Sequence, residues 1–354
     1  MRASAWALTV LPRVAACGRA TTGAGGVGVR LTAGAAGYSG LQSCGSVWAD
    51  PVCSSKILAR RAVEIGAALS QGQALGHGLG FVTLTMRHRR GQSLDELWSA
   101  AGKAWQRAIS GKAWEAAQRR CGVVGWVRVW EVTTGRNGWH VHVHAVVVFD
   151  QGGSVDRLDQ VASGMFGRWS RGLEAAGLDA PLRRGQEWHL VAGDDGGQSV
   201  AEYLAKLGRS AAGGAALGLE LTHVRPGRSR SALATAPVWS LLDQAADGEA
   251  AAIHGWHEWE RASKGRRQVG WSKGLRALLA LPEVERSDDE LAAEELGTAA
   301  DTLVVITPAG WSSLVRTPHR LPLVLDAAEV GGLSGLRSLL DSWADVSYVV
   351  PVDS

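Results

Sequence analysis

The chain has 354 residues, 46% of them hydrophobic and 20% charged, and a formal net charge of +3. That composition fits a soluble globular protein of one large domain or a few smaller ones, and excludes a disordered or low-complexity chain. A charge so near balance provides no whole-protein field for nucleic acid; four cysteines are too few for a disulfide scaffold, and no apolar run reaches the 18 residues of a membrane span.

The apolar stretch Ala5–Leu11 is short for a secretory leader and is followed by Pro12 and Arg13, so a cytoplasmic location and no membrane partner are expected. Residues 18–40 are glycine-rich and read as irregular or hairpin-like. Pro51 to about Ala74 contains Lys56-Ile57-Leu58-Ala59-Arg60-Arg61, a pattern for an amphipathic helix. Phe81-Val82-Thr83-Leu84-Thr85-Met86 alternates as a strand does, and Ser93-Leu94-Asp95-Glu96 is a capping box opening a helix to about Arg120. Val123–Val132 reads as a strand, with a turn at Gly135-Arg136-Asn137-Gly138 and a further strand after it. A helix over Leu158–Ala176, a short strand over His189–Ala192 and a helix over Gln198–Leu207 follow. Strands and helices mix without a βαβ rhythm, which predicts an α+β fold on an antiparallel sheet.

Past residue 236 the composition changes. Residues 255–276 are basic and tryptophan-rich, residues 283–295 acidic; then come a strand at Thr302–Thr307 and an apolar segment, Leu321–Leu340, expected to be helical. The chain divides on this reading into an N-terminal Gly-rich and cysteine-bearing segment (1–74), a central domain (75–236), a basic segment (237–282), and an acidic linker with a small αβ extension (283–354).

The most informative run is Gly138-Trp139-His140-Val141-His142-Val143-His144-Ala145. In a strand, residues two apart share a face, so three imidazoles point one way and three apolar side chains the other. Neutral imidazole is the commonest protein metal ligand. With Asn137-Gly138 as a two-residue turn, Arg136 pairs with Trp139 and Glu131 falls opposite His144. Glu131, His142 and His144 are then candidate ligands of one divalent ion, and a His/His/Glu set with open positions suits a catalytic ion. Tyr203 and Lys206 are i, i+3 neighbours on the 198–207 helix; the ammonium would favour a phenolate and reach a phosphate. A packed tyrosine beside a snorkelling lysine accounts for the same spacing.

In order along the chain, the Phe81–His88 strand, the His-hydrophobe-His strand and Tyr203-Leu204-Ala205-Lys206 resemble the three motifs of HUH endonucleases. The set is most similar to the rolling-circle replication initiators of actinobacterial plasmids, and Cys44-Gly45-Ser46-Val47-Trp48 and Ala262–Gln268 resemble that family's flanking signatures. The resemblance covers roughly residues 15–280. It implies an HUH-type antiparallel sheet of about five strands flanked by helices, and metal-dependent nicking of origin DNA. His142 and His144, with Glu131 as candidate third ligand, would hold Mg²⁺ or Mn²⁺. Tyr203 would be the nucleophile, leaving a 5′-phosphotyrosine and a 3′-OH primer, with Lys206 at the phosphate. The partners implied are single-stranded or hairpin origin DNA, a host helicase and a DNA polymerase. In conjugative relaxases the tyrosine precedes the histidines; here it follows them. A transposase, a mobilisation relaxase, or a non-catalytic DNA-binding regulator on the same fold are the alternatives.

The family's cysteine region also carries Cys-Pro-Val-Cys, implying a zinc knuckle, where this chain reads Asp50-Pro51-Val52-Cys53. Cys17, Cys44 and Cys53 would hold zinc with Asp50 or water, or are simply buried thiols. For DNA contacts, Arg87, His88 and His140 near the histidine strand, and Arg266 and Arg267 in the basic segment, are the candidates; Trp256, Trp259 and Trp271 are either base-stacking platforms or core.

Overall fold

A computed structural model describes residues 2–191 and 236–351. They form two compact units, Met1–Ser46 with Ser287–Ser354, and Val47–Arg286. The first unit opens with short helices α1 (Arg2–Leu8) and α2 (Pro12–Ala16) and the hairpin β1 (Val27–Thr32) and β2 (Ala35–Ser39). The glycine-rich stretch is therefore a hairpin. Within this unit the Cys44 N–H donates to Cys17 Sγ at 3.3 Å.

The second unit begins with helix α3 (Pro51–Ala74). Asp50 is its N-cap: Oδ1 accepts the Val52 and Cys53 N–H groups at 2.9 and 2.8 Å, and Pro51 occupies the first helical position, where no N–H is needed. That role gives a physical reason for aspartate at position 50. Strand β3 (Gly78–Thr85) leads to α4 (Leu94–Ala108), which opens on the capping box of Ser93 and Glu96. The expected single helix to Arg120 is two helices. Chain direction changes at Ile109-Ser110-Gly111, where Gly111 has φ 81°, and α5 (Lys112–Cys121) follows. Then come β4 (Val123–Gly135), β5 (Gly138–Phe149), α6 (Val155–Ala175), β6 (Glu187–Leu190), β7 (Ala236–Pro237) and β8 (Val269–Trp271).

These strands make an antiparallel sheet in the order β6-β3-β5-β4-β7, with β8 also on β4. The α+β antiparallel expectation holds, with six strands among the described residues rather than about five. Period two sorts the β5 side chains. Val141, Val143, Val147 and Phe149 are fully buried on the side where Trp105 of α4 meets Trp126 of β4 edge-on at 5.1 Å. Each such side chain contributes roughly 1.5–3 kcal/mol of burial. On the other face, Val146 and Val148 join Val127, Val129 and Leu79 under Ala62, Ile65 and Leu69 of α3. That core covers one end of the face; toward the β4–β5 turn the same face carries the histidines.

The basic segment is part of this unit. Strand β8 extends the sheet, and helix Ala250–Ser263 buries Trp256 (0% exposed) and Trp259 (3%). Trp259 stands edge-on to Trp48 and stacks near Trp98 and Trp139. These two tryptophans are core, not stacking platforms.

The chain then returns to the first unit. Strands β9 (Thr302–Ile306) and β10 (Tyr348–Val349) complete an antiparallel sheet in the order β10-β9-β1-β2. Helices Pro308–Arg316 and Arg320–Asp341, the latter kinked at Gly332, cover it. Val27 and Val29 from the N-terminal side pack with Val304, Ile306, Trp311, Leu314 and Leu336. The C-terminal extension thus shares one core with the N-terminal hairpin. No helix among the described residues is long and apolar enough to cross a membrane.

Candidate metal centre

The β4–β5 hairpin brings the predicted ligands together by a register different from the expected one. Gly135 pairs with Gly138, and Glu131 lies opposite His142 rather than His144. The reason is the turn. Neither Arg136 nor Asn137 takes a positive φ; Gly138 does, at 87°. An Asn137-Gly138 two-residue type I′ turn requires both residues to be left-handed; here Gly138 alone is, as in a type I turn over Arg136 and Asn137 closed by a glycine. The turn moves by one residue and the pairing by two, so the face on which Glu131 points is preserved.

Glu131 Oε2 lies 2.7 Å from His142 Nε2 and 2.9 Å from His144 Nε2. The three ligand atoms fall within 4.8 Å of one another. The side chains of His142 and His144 are 10% and 11% exposed, that of Glu131 21%, so the group is sheltered yet open on one side. Thr83, across from His144 on β3, places Oγ1 2.9 Å from His144 Nδ1. A Nδ1–H donated to that hydroxyl leaves the Nε2 lone pair facing Glu131, the outer-shell arrangement that orients metal-bound histidines. His142 Nδ1 is buried without a hydrogen-bond partner. Phe81 stacks on the His144 ring at 5.6 Å.

The charges suit a cation. Burial works to raise the Glu131 carboxyl, but the two histidines outweigh it and hold it well below the usual carboxylate range. Burial lowers His144 against the pull of Glu131. Two imidazoles beside one carboxylate are a ligand set that divalent metals accept. The donor set therefore fits a divalent ion. Imidazole nitrogens suit Zn²⁺, Cu²⁺, Fe²⁺ and Ni²⁺, while the carboxylate also admits Mg²⁺ and Mn²⁺.

The other candidates fall in several places. His140 stands next in the row, its ring 4.9 Å from His142 and 5.1 Å from His88. Burial, with His142 and His88 nearby, lowers its pKa to about 4. His88 Nδ1 lies 3.1 Å from the Asn137 carbonyl oxygen, and Arg87 lies 4.0 Å from Asp179. Arg267 is exposed, whereas Arg266 donates to Ala262 O, Asp95 and Ser99 and covers the Trp98 ring. Cys17, Cys44, Asp50 and Cys53 are all buried, the first two in one unit and the last two in the other, and none is in a disulfide. Tyr203 and Lys206 lie outside the described residues.

Two groups escaped the sequence reading. Thr83 could have been found, since period two from Phe81 puts it on the histidine face. Glu187 of β6 could not: it joins that face only because β6 pairs with β3, Thr83 opposite Glu187.

Residues 43–153, which contain the whole ligand set, match a family model described as a replication protein. A "Protein rep" of Streptomyces lividans is 28% identical over 355 residues, covering 82% of this chain and 76% of that protein. A Streptomyces cyanogenus protein described as a neomycin resistance protein is 34% identical over 168 residues, 40% of this chain and 38% of its own length. No solved structure matches. The resemblance to actinobacterial replication initiators, drawn from the motifs, holds.

Proposed function

We propose that this protein is a plasmid replication initiator that nicks origin DNA in rolling-circle replication and remains joined to it through Tyr203. The observation that best supports this is the convergence of Glu131, His142 and His144 inside the stretch that resembles replication proteins. A Mg²⁺ or Mn²⁺ ion bound by those three side chains would supply Lewis-acid polarisation of the scissile phosphate. The chain's own residues account for the rest. The Tyr203 oxygen, its proton given up to a base, forms a bond to phosphorus as the bond to the 3′ oxygen breaks. The leaving oxygen takes a proton and becomes the 3′-OH primer for a host polymerase, with a helicase opening the duplex ahead. Attack by that hydroxyl on the phosphotyrosine reverses the step without ATP. Lys206 would offset charge on the phosphate.

Arg87, His88, His140 and Arg267 are the DNA contacts in this reading, and Arg266 braces the turn that presents Arg267.

A nicking assay on origin oligonucleotides tests the reading. Wild-type protein with Mn²⁺ should cut one strand, and EDTA or His142→Ala should stop it. Origin binding with no cut under any metal would leave a non-catalytic regulator instead.

A further inference from the structure

The loop leaving β3 reads Arg87-His88-Arg89-Arg90 and sends its side chains two ways. His88 turns to the hairpin tip, against Asn137 and His140. Arg87 and Arg89 turn to the end of α6, where Asp179 Oδ2 receives Arg89 Nη2 at 2.7 Å and Nε at 3.2 Å, with Arg87 Nη2 at 4.0 Å. With Arg90 they line a recess of about 410 Å³. Both walls are held in place. The Arg89 N–H donates to Gln92 Oε1 at 2.6 Å, and the Leu178 N–H closes the end of α6 on Leu173 O at 3.0 Å.

Three guanidinium groups line this recess and one carboxylate answers them. The contacts are exposed, with the Arg89 side chain at 73% and Asp179 at 35%. Exposed ion pairs add little to stability, so an anion with more acceptor oxygens can take the place of Asp179 at small cost. Guanidinium forks match phosphate oxygens in pairs. The Arg89 hydrogen bond holds the Asp179 carboxyl below its usual range, so it competes as an anion. The rings of His88, His140 and His142, spaced 5.1 and 4.9 Å apart, link the loop to the metal ligands.

We propose that Arg87, Arg89 and Arg90 form a phosphodiester site for the DNA strand that crosses the histidine face, and that Asp179 holds this site in the free protein and is displaced by the strand. This rests on the reading above only in taking DNA as the ligand.

Fluorescence anisotropy with a labelled single-stranded origin oligonucleotide, in EDTA so that no cutting occurs, tests it between about 50 and 200 mM salt. Arg89→Gln should weaken binding and lower the slope of log K against log salt by about 0.7, one phosphate's share for a single strand. Asp179→Asn should tighten binding by up to about fivefold, the upper range for an exposed pair. Both variants should melt at the wild-type temperature. Unchanged affinity and slope in both would overturn the proposal. So would inorganic phosphate that binds wild type but not Arg89→Gln while the two bind the oligonucleotide equally, which would mark a free-phosphate site. No nicking enters this assay, so loss of the nickase reading would leave its result standing.

Discussion

One carboxylate oxygen, Glu131 Oε2, is approached by two imidazole nitrogens at under 3 Å. Thr83 holds the far side of the His144 ring, while His142 Nδ1 has no hydrogen-bond partner. Replacing Thr83 by valine keeps the shape and removes the hydroxyl. It should weaken Mn²⁺ binding by about 10–100-fold in calorimetry, the usual effect of losing an outer-shell partner; unchanged affinity would mean that something else orients His144. His140 offers a pH test. With its pKa lowered to about 4 by burial, it stays neutral where an unfolded histidine, near 6.5, gains a proton. The unfolded chain then binds more protons between those values, so this residue makes stability fall as pH drops from about 6.5 toward 4 and level off below. His140→Gln should flatten that part of the denaturation profile, and its ring shifts in NMR should not move above pH 5. A midpoint near 6.5 would contradict the burial argument.

The hairpin shows what a local pattern can and cannot settle. Alternation in Gly138–Phe149 made the strand and its histidine face legible, because side-chain period needs no partner. Register did require the partner, and Asn-Gly fits two turn geometries. The backbone uses the one in which Gly138 alone is left-handed. A Cβ at Gly138 meets nothing nearer than 3.9 Å, so only the dihedral opposes a side chain there. Gly138→Ala should therefore lower stability by about 1 kcal/mol in denaturant titration, while Asn137→Ala should cost less. Equal losses would favour the Asn137-Gly138 turn. The helix after Ser93 was legible at its capped start but not at its break, since Gly111 lies inside an otherwise helical composition. The tryptophans of residues 256–271 were ambiguous for a related reason: aromatic side chains among basic ones suit both a core and a stacking surface, and burial decided for Trp256 and Trp259.

At the scale of the molecule, the least legible feature was the sharing of one sheet by the two ends of the chain. Thr302–Ile306 could be read as a strand, but nothing local says that it pairs with Val27–Thr32 some 270 residues earlier. Removing residues 287–354 would take away both β9 and the helices over Val27 and Val29. The truncated chain should lose protection of Val27–Ser39 in hydrogen exchange, and retained protection would show that the hairpin stands alone. The tyrosine motif was legible only through its order after the histidines, and it carries the central claim. Incubating the protein with a 5′-extended origin oligonucleotide and Mn²⁺, then digesting it for mass spectrometry, tests that claim most directly. The account predicts a DNA-linked peptide with the nucleotide on Tyr203, absent from Tyr203→Phe and from His142→Ala. A linkage to any other residue, or an undiminished adduct in Tyr203→Phe, would contradict it.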